Sequence, residues 1–466
     1  MKKLLTMLLT AAILLSLCAC ELTLPTEPAE PGWQPYNGTM EGYEYYHESD
    51  RERKWEEDVL ILAQDFADNY PLFQPGKTHM YYYAIQGLGT TIGYLYDEQL
   101  RADFFARINK LIPKLGELTN DQIQFELRKI VASLGDVHSH VYADTAYYFW
   151  IQVEPFFVED QIEYRAVVLP SQYKHMLYAQ LLSINDIAIE EIIERLTPYG
   201  SVENEYGLLS EMLIGGGGLL YEAALLVEIG VLESETEAAA FKFQTSEGEI
   251  CTVHIKPHLD TEEVSIESRS VYHACSYSFQ YWNEENFWYE ILEEENTAFV
   301  RINRFMEEED ETIKEMFEKL MASLREHENV TKVIVDLRRN GGGNLYMEGY
   351  ARLLQALKLP QVEKVCVLID HGTFSQSVVM AYEIKQEIDT AVIMGVPAGE
   401  GSFFIGVKGE DPTLPYSGLT YRVAVSPLDL NRDEPFDALL PDVLVYPDLQ
   451  DYKNGIDTIL EAAKDT

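Results

Sequence analysis

Lys332-Val333-Ile334-Val335-Asp336-Leu337-Arg338-Arg339-Asn340-Gly341-Gly342-Gly343-Asn344 decides how the second half of this chain folds. A short β-branched run that ends in consecutive glycines reads as a strand buried on both faces and closed by a tight loop. Working outward, Thr297 to Ile302 reads as a strand and Glu311 to His327 as a helix, and beyond the glycines Tyr346 to Leu357 reads as a helix. Strand Val362 to Ile369, helix Ser375 to Glu387 and strand Ala391 to Met394 follow. Strands alternating with helices at this spacing predict an α/β unit built on a parallel sheet with right-handed crossovers. Functional groups in such sheets gather at the carboxyl ends of the strands.

Two strand ends carry residues with chemistry. After Leu337, the glycines at 341 to 343 let backbone N–H groups face an anion without side-chain obstruction, so they are candidates for half of an oxyanion hole. After Ile369, Asp370-His371-Gly372-Thr373-Phe374-Ser375-Gln376-Ser377 places Ser375 at the start of a helix. A hydroxyl there gains from the helix dipole and from free N–H groups, although on its own such a serine reads as a helix cap. Serine also needs a base, being protonated at neutral pH. Leu134-Gly135-Asp136-Val137-His138-Ser139-His140 offers His138, and His371 is a rival four residues before Ser375. His138 and His140 together are two potential metal ligands whose companions are not visible in the sequence.

Upstream, Trp55, Val59, Leu60, Leu62, Ala63 and Phe66, then Phe104, Ile108, Leu111 and Ile112, recur near a helical period, predicting a helical unit from Arg51 to about Val137. Between about Phe149 and Lys256 the pattern changes to short apolar runs, with one helix from Ile189 to Leu196, which predicts a small β-rich module. Gly215 to Gly218 lack the Lys-Ser or Lys-Thr of a phosphate loop and read as a flexible turn.

The 466 residues are 47% apolar, more than one core usually absorbs. The 35 Lys and Arg against 78 Asp and Glu give a net charge of −43, which repels phosphate backbones and argues against nucleic acid as a partner. At the N-terminus, Lys2 and Lys3 precede an apolar run from Leu4 to Leu17 that suits a secretory signal better than a membrane span. The run closes on Leu17-Cys18-Ala19-Cys20, which resembles a bacterial lipobox with Cys20 as the acylated residue. Residues 21 to about 50, with Pro25, Pro28, Pro31 and Pro35, then read as a tether. Only Cys251, Cys275 and Cys366 remain, so at most one bridge, Cys251 to Cys275, is available, and Cys366 reads as a buried strand residue.

The segments Leu-x-Asp-x-His at 134 to 138, Asp-Leu-Arg-x-Asn-x-Gly-Gly at 336 to 343 and Thr-x-Ser at 373 to 375 occur in one chain and in this order. Together with Leu414 to Leu419 and Pro441-Asp442-Val443, they resemble the tail-specific (C-terminal-processing) and tricorn-like serine peptidases over nearly the whole mature chain. The resemblance implies a crotonase-like ββα catalytic core at 261–466, a degenerate PDZ-like insert at 147–260, and a helical N-terminal unit with the base histidine at 51–146. These follow a lipoprotein signal at 1–20 and a tether at 21–50. It implies cleavage of peptides or unfolded protein tails through an acyl-enzyme, with no metal or organic cofactor. Ser375 is then the nucleophile, with Gln376 and one of Gly341 or Gly342 holding the oxyanion. The tail-specific branch places a lysine base in the segment that here reads Gly395-Val396-Pro397-Ala398-Gly399-Glu400-Gly401, and none is present. The tricorn-like branch implies His138 instead, supported by a carboxylate for which Glu434 is preferred over Asp437. Val396 stands where a glutamate is common and Gln376 where alanine or serine is usual. The alternative is an inactive surface lipoprotein that binds peptides or cell-wall material. Either protein would sit outside the cytoplasm, anchored to the membrane through Cys20.

Overall fold

The computed structural model describes residues 34–82, 89–143, 145–158, 161–213, 218–259, 261–268, 285–344, 347–431 and 433–466. The signal segment, Cys20, Cys275 and the first part of the expected tether lie outside these residues, as do Gly215 to Gly217 of the expected flexible turn. No helix among the described residues is long and apolar enough to cross a membrane.

The chain is mixed α/β. Helices α1 (Asp50–Asn69), α2 (Glu98–Leu111) and α3 (Asn120–Ala132) form the N-terminal unit, as their apolar periodicity predicts. The unit is not wholly helical, since strands Thr78–Tyr82 and Gly89–Tyr94 pair as an antiparallel hairpin between α1 and α2. The β-branched and aromatic residues of that stretch suit a pleated surface better than a helix. The expected tether also stops short of residue 50. Tyr36 is buried and its backbone N–H donates to Asn109 at 2.7 Å, while the Tyr43 hydroxyl donates to the buried Glu56 at 2.8 Å.

Strand β1 (His140–Tyr142) follows α3, and the β-rich module comes next. Its sheet includes β2 (Gln152–Val158), β3 (Gln161–Pro170), β4 (Gln180–Ile184), β5 (Ala239–Gln244) and β6 (Ile250–Ile255). Helix α4 (Ile189–Leu196) lies where the sequence puts it. Helices α5 (Glu205–Leu213) and α6 (Ala223–Glu228) are additional. The same sheet takes Ile266–Ser268 as a partner of β3, so the module extends past the expected boundary at 260.

The second half is the expected parallel sheet, with element ends shifted by a residue or two. Strands β7 (Phe287–Leu292), β8 (Thr297–Ile302), β9 (Lys332–Asp336), β10 (Lys364–Ile369), β11 (Ala391–Gly395) and β12 (Val443–Leu444) lie in that order. All neighbours pair parallel except the edge strand β7, which is antiparallel to β8. Helices α7 (Ile313–Glu326), α8 (Met347–Leu357) and α9 (Gln376–Glu387) share a core with Val333, Val335, Val365 and Val367. Ile334, Cys366 and Leu368 point the other way, toward the terminal helix α10 (Thr458–Asp465). Strands covered on both faces must be apolar at every position, which is why they read as unbroken runs. Burial pushes the Cys366 thiol up, as expected of an inert core cysteine. Among the described residues Cys251 makes no disulfide, its expected partner Cys275 lying outside them.

Candidate functional site

Two chain segments meet at the carboxyl ends of β9 and β10, and a third is linked to them through Glu400 in the loop after β11. The first is the glycine loop after β9. Beneath it Arg338, 2% exposed, is held by Asp336 and Asp457, each at 2.7 Å, and Arg301 reaches Asp336 at 2.8 Å. These buried pairs fix the loop's base, because without Arg338 the Asp457 carboxylate would lose this guanidinium and Asp336 would keep only Arg301. Above them Phe305 donates its N–H to the Gly342 carbonyl at 2.9 Å and accepts from Asn344 at 2.7 Å.

The second segment is the turn from β10 into α9. It is tied to the first by Phe374 N–H and Ser377 Oγ, which both donate to the Asn340 carbonyl, and by Thr373 Oγ1, which donates to the Leu337 carbonyl at 3.0 Å. Ser375 occupies the N-terminal boundary of α9 with φ 53° and ψ −123°, and its side chain makes no capping bond. The helix-cap reading of this serine therefore falls. A positive φ at a non-glycine residue costs about 1–3 kcal/mol and persists only when its surroundings over-determine it. Here that conformation falls at a strand-to-helix corner, where Ser375 is half-buried.

Gly342 is packed against that corner. A Cβ added to it would lie 2.6 Å from Ser375 Cβ and 2.9 Å from Gln376 N, and its φ of +92° disfavours any side chain. Its own N–H donates to Asn340 Oδ1 at 2.8 Å. Of the two glycines expected to hold an oxyanion, Gly342 thus has its donor engaged, whereas no hydrogen bond from Gly341 or Gln376 N–H is made among the described residues.

The third segment is 134 to 140. Strand β1 pairs antiparallel with Thr420–Arg422, and the Asp136 carboxylate accepts the His138 N–H at 2.9 Å and the Ser139 hydroxyl at 2.7 Å. The His138 ring stacks on Phe404, centroids 5.7 Å apart. Burial, then His140 and Arg422, lower its pKa to about 3, so the imidazole is neutral at physiological pH.

The carboxylate that faces His138 is Glu400. One of its oxygens lies 3.4 Å from His138 Nδ1 and the other accepts the backbone N–H of Ser375. Glu434, preferred from the sequence, is exposed and its N–H donates to Asn431 Oδ1. Asp437 is also exposed, and its carbonyl accepts from Asn204. Pro435, Phe436 and Asp437 line the same cavity as Asp136, but among the described residues neither the Glu434 nor the Asp437 carboxylate makes an ion pair with His138, as Glu400 does. Glu400 stands between Gly399 and Gly401, in the segment where the tail-specific branch would place its lysine. His371, the rival base, is buried, stacks on Tyr206 with centroids 5.6 Å apart, and is anchored through Nδ1 to the Pro397 carbonyl at 2.9 Å.

Two further carboxylates stand close by. Burial pushes Asp136 up to about 6, and burial with the charge of Asp136 pushes Glu203 up to about 8. Glu203 comes from the inserted module and accepts the Gly401 N–H at 3.3 Å. Burial, then Glu203, hold Glu400 well above the usual carboxylate range. Asp136 and Glu203 line a cavity of about 330 Å³ walled by Phe403, Phe404 and Phe436. Glu203 had no signal in the sequence, because its place depends on how the module docks.

Residues 296–359, from β8 through the glycine loop to α8, match the model of peptidase family S41. The fold is similar to that of mature CPAF, at TM-score 0.60 and 13% identity, covering 89% of this chain and 96% of that one. Mature CPAF complexed with lactacystin gives TM-score 0.59 and 14% identity, covering 90% and 98%. No curated protein sequence matches the chain. Through residues 296–359 the chain is recognised as related to peptidase family S41.

Proposed function

We propose that this protein is a serine peptidase in which Ser375, His138 and Glu400 act together on peptides or unfolded protein tails. The observation that carries the reading is the Glu400 carboxylate, which spans from His138 Nδ1 to the backbone of Ser375 and so joins segments more than two hundred residues apart in sequence. His138, neutral at working pH, takes the Ser375 proton as the hydroxyl oxygen attacks the scissile carbonyl. Glu400 holds the ring and stabilises the imidazolium that forms. The N–H groups of Gln376 and Gly341 receive the oxyanion, with the Gly342 amide fixing the loop through Asn340. His138 then gives the proton to the leaving amine. The acyl group on Ser375 is released by water, which His138 deprotonates in turn.

The catalytic half fits a crotonase-like core and the inserted module a PDZ-like one. The lipobox at Cys20 supports a protein held outside the cytoplasm by its lipid. The test is hydrolysis of unstructured peptides by wild type, Ser375→Ala and His138→Ala. The reading expects cleavage by wild type alone. Saturable peptide binding without turnover by the wild type would leave an inactive surface binder instead.

A further inference from the structure

Asp136, His138 and Glu203 each present one ligand-type atom, and these atoms lie within 4.8 Å of one another. A second observation points into the same nest. Glu400 is wholly buried and faces His138 Nδ1, and among the described residues neither its Oε1 nor that nitrogen makes a hydrogen bond. Among the described residues, none of the carboxylates of Asp136, Glu203 and Glu400 is paired with a lysine or arginine. Negative charge gathered out of water without a basic partner must be relieved by protons or by a cation.

We propose that Asp136, His138 and Glu203 form an inhibitory site for a divalent transition metal of the zinc type, with Glu400 beside it. One imidazole nitrogen with carboxylate oxygens suits zinc better than calcium or magnesium, which take oxygen alone. Around a tetrahedral zinc at about 2.0–2.1 Å from each ligand, donor atoms stand roughly 3.3 Å apart, so these side chains need to draw in by no more than about 1.5 Å. His140 is not the companion ligand; its ring stacks on Tyr142, centroids 5.8 Å apart. A metal on His138 occupies the ring that Glu400 orients, and the base is withdrawn from Ser375. The inhibitory half of this inference rests on the peptidase reading; the binding half does not.

The experiment titrates the full chain with zinc in competition with a chromophoric chelator, in parallel with peptide hydrolysis. The expected result is zinc binding by wild type and by Ser375→Ala, with hydrolysis slowed by zinc and restored by chelator. Glu203→Gln, at a half-buried position, should weaken zinc binding about tenfold or more while metal-free hydrolysis persists with its rise moved to lower pH. Asp136→Asn gives a second removal of a ligand oxygen, with circular dichroism as the check on folding. Hydrolysis by wild type that zinc neither binds to nor slows overturns the site and leaves the peptidase reading standing. Zinc affinity unchanged in folded Glu203→Gln and Asp136→Asn also overturns it. Zinc binding that depends on Glu203 in a protein without hydrolysis supports the site and removes its inhibitory role.

Discussion

One oxygen of the Glu400 carboxylate lies 3.4 Å from Nδ1 of His138, and among the described residues it is the carboxylate that forms an ion pair with that ring. Glu400→Gln keeps the volume but removes the charge that would stabilise an imidazolium. The expected loss in kcat is about 10²–10⁴-fold, with KM little changed, measured on unstructured peptides. Glu434→Gln, at the exposed position, should leave both constants within about twofold of wild type. A large loss in the latter variant would return the orienting role to the outer segment.

Gly342→Ala puts a methyl group where Ser375 Cβ and Gln376 N already stand. The serine corner must shift, and a misplacement of about 1 Å is enough to cost roughly 10²-fold in rate. Gly341→Ala, where nothing stands within 4 Å of the added carbon, should be far milder. Kinetics on the two variants, with thermal melts as controls, separate crowding at the nucleophile from general loop damage.

Titration of the carboxylate nest gives a pH dependence with a definite sign. Glu203 binds its proton more tightly in the folded chain, with its pKa pushed up to about 8. Its contribution to stability is therefore present below the ordinary glutamate range near 4.5 and is lost as pH rises through about 8. His138 is the opposite case: its lowered value, about 3, means stability is lost as pH falls below its ordinary range near 6.5. Glu400 is held well above the usual carboxylate range by burial and then by Glu203, so the ionised form that would stabilise an imidazolium grows with rising pH and hydrolysis should climb with it. Glu203→Gln should move that climb to lower pH and flatten the loss of stability between about pH 5 and 8. Rate profiles and melts across pH 5–9 check both, and identical profiles in the two proteins would contradict the coupling.

Arg338→Met tests what holds the glycine loop. It leaves Asp336 and Asp457 without their shared guanidinium in a buried setting, and the cost should be about 3–5 kcal/mol. Denaturant unfolding measures it. A change below about 1 kcal/mol would mean that the loop does not depend on this pair.

Much of the fold is legible in the sequence, for a physical reason. β8 to β11 are covered on both faces, so Val333 to Val335 and Val365 to Ile369 must be apolar at every position, and a run of that kind announces itself. Ser375 and the glycines could be placed because they sit where those runs break. The hairpin at 78–94, the antiparallel edge strand β7 and the helices α5 and α6 were not visible, since their residues are shaped by neighbours distant in sequence. Within the site, nothing local to Gly399-Glu400-Gly401 marks its carboxylate as the partner of a histidine more than two hundred residues away. Glu203 could not be found at all, because nothing local in its segment records that the module will dock it beside Gly401. His138 was found through its motif, yet its place is set by the pairing of β1 with Thr420–Arg422, a contact that spans most of the chain.

The central claim is that Ser375 is a nucleophile activated by His138. Mass spectrometry of the protein after treatment with a serine-acylating probe tests it most directly. The expected result is a single adduct on the peptide containing Ser375 in the wild type, absent in Ser375→Ala and slowed at least about 10²-fold in His138→Ala. Labelling of Ser375 at equal rates with and without the imidazole, or no adduct there while peptides are still cleaved, would contradict it.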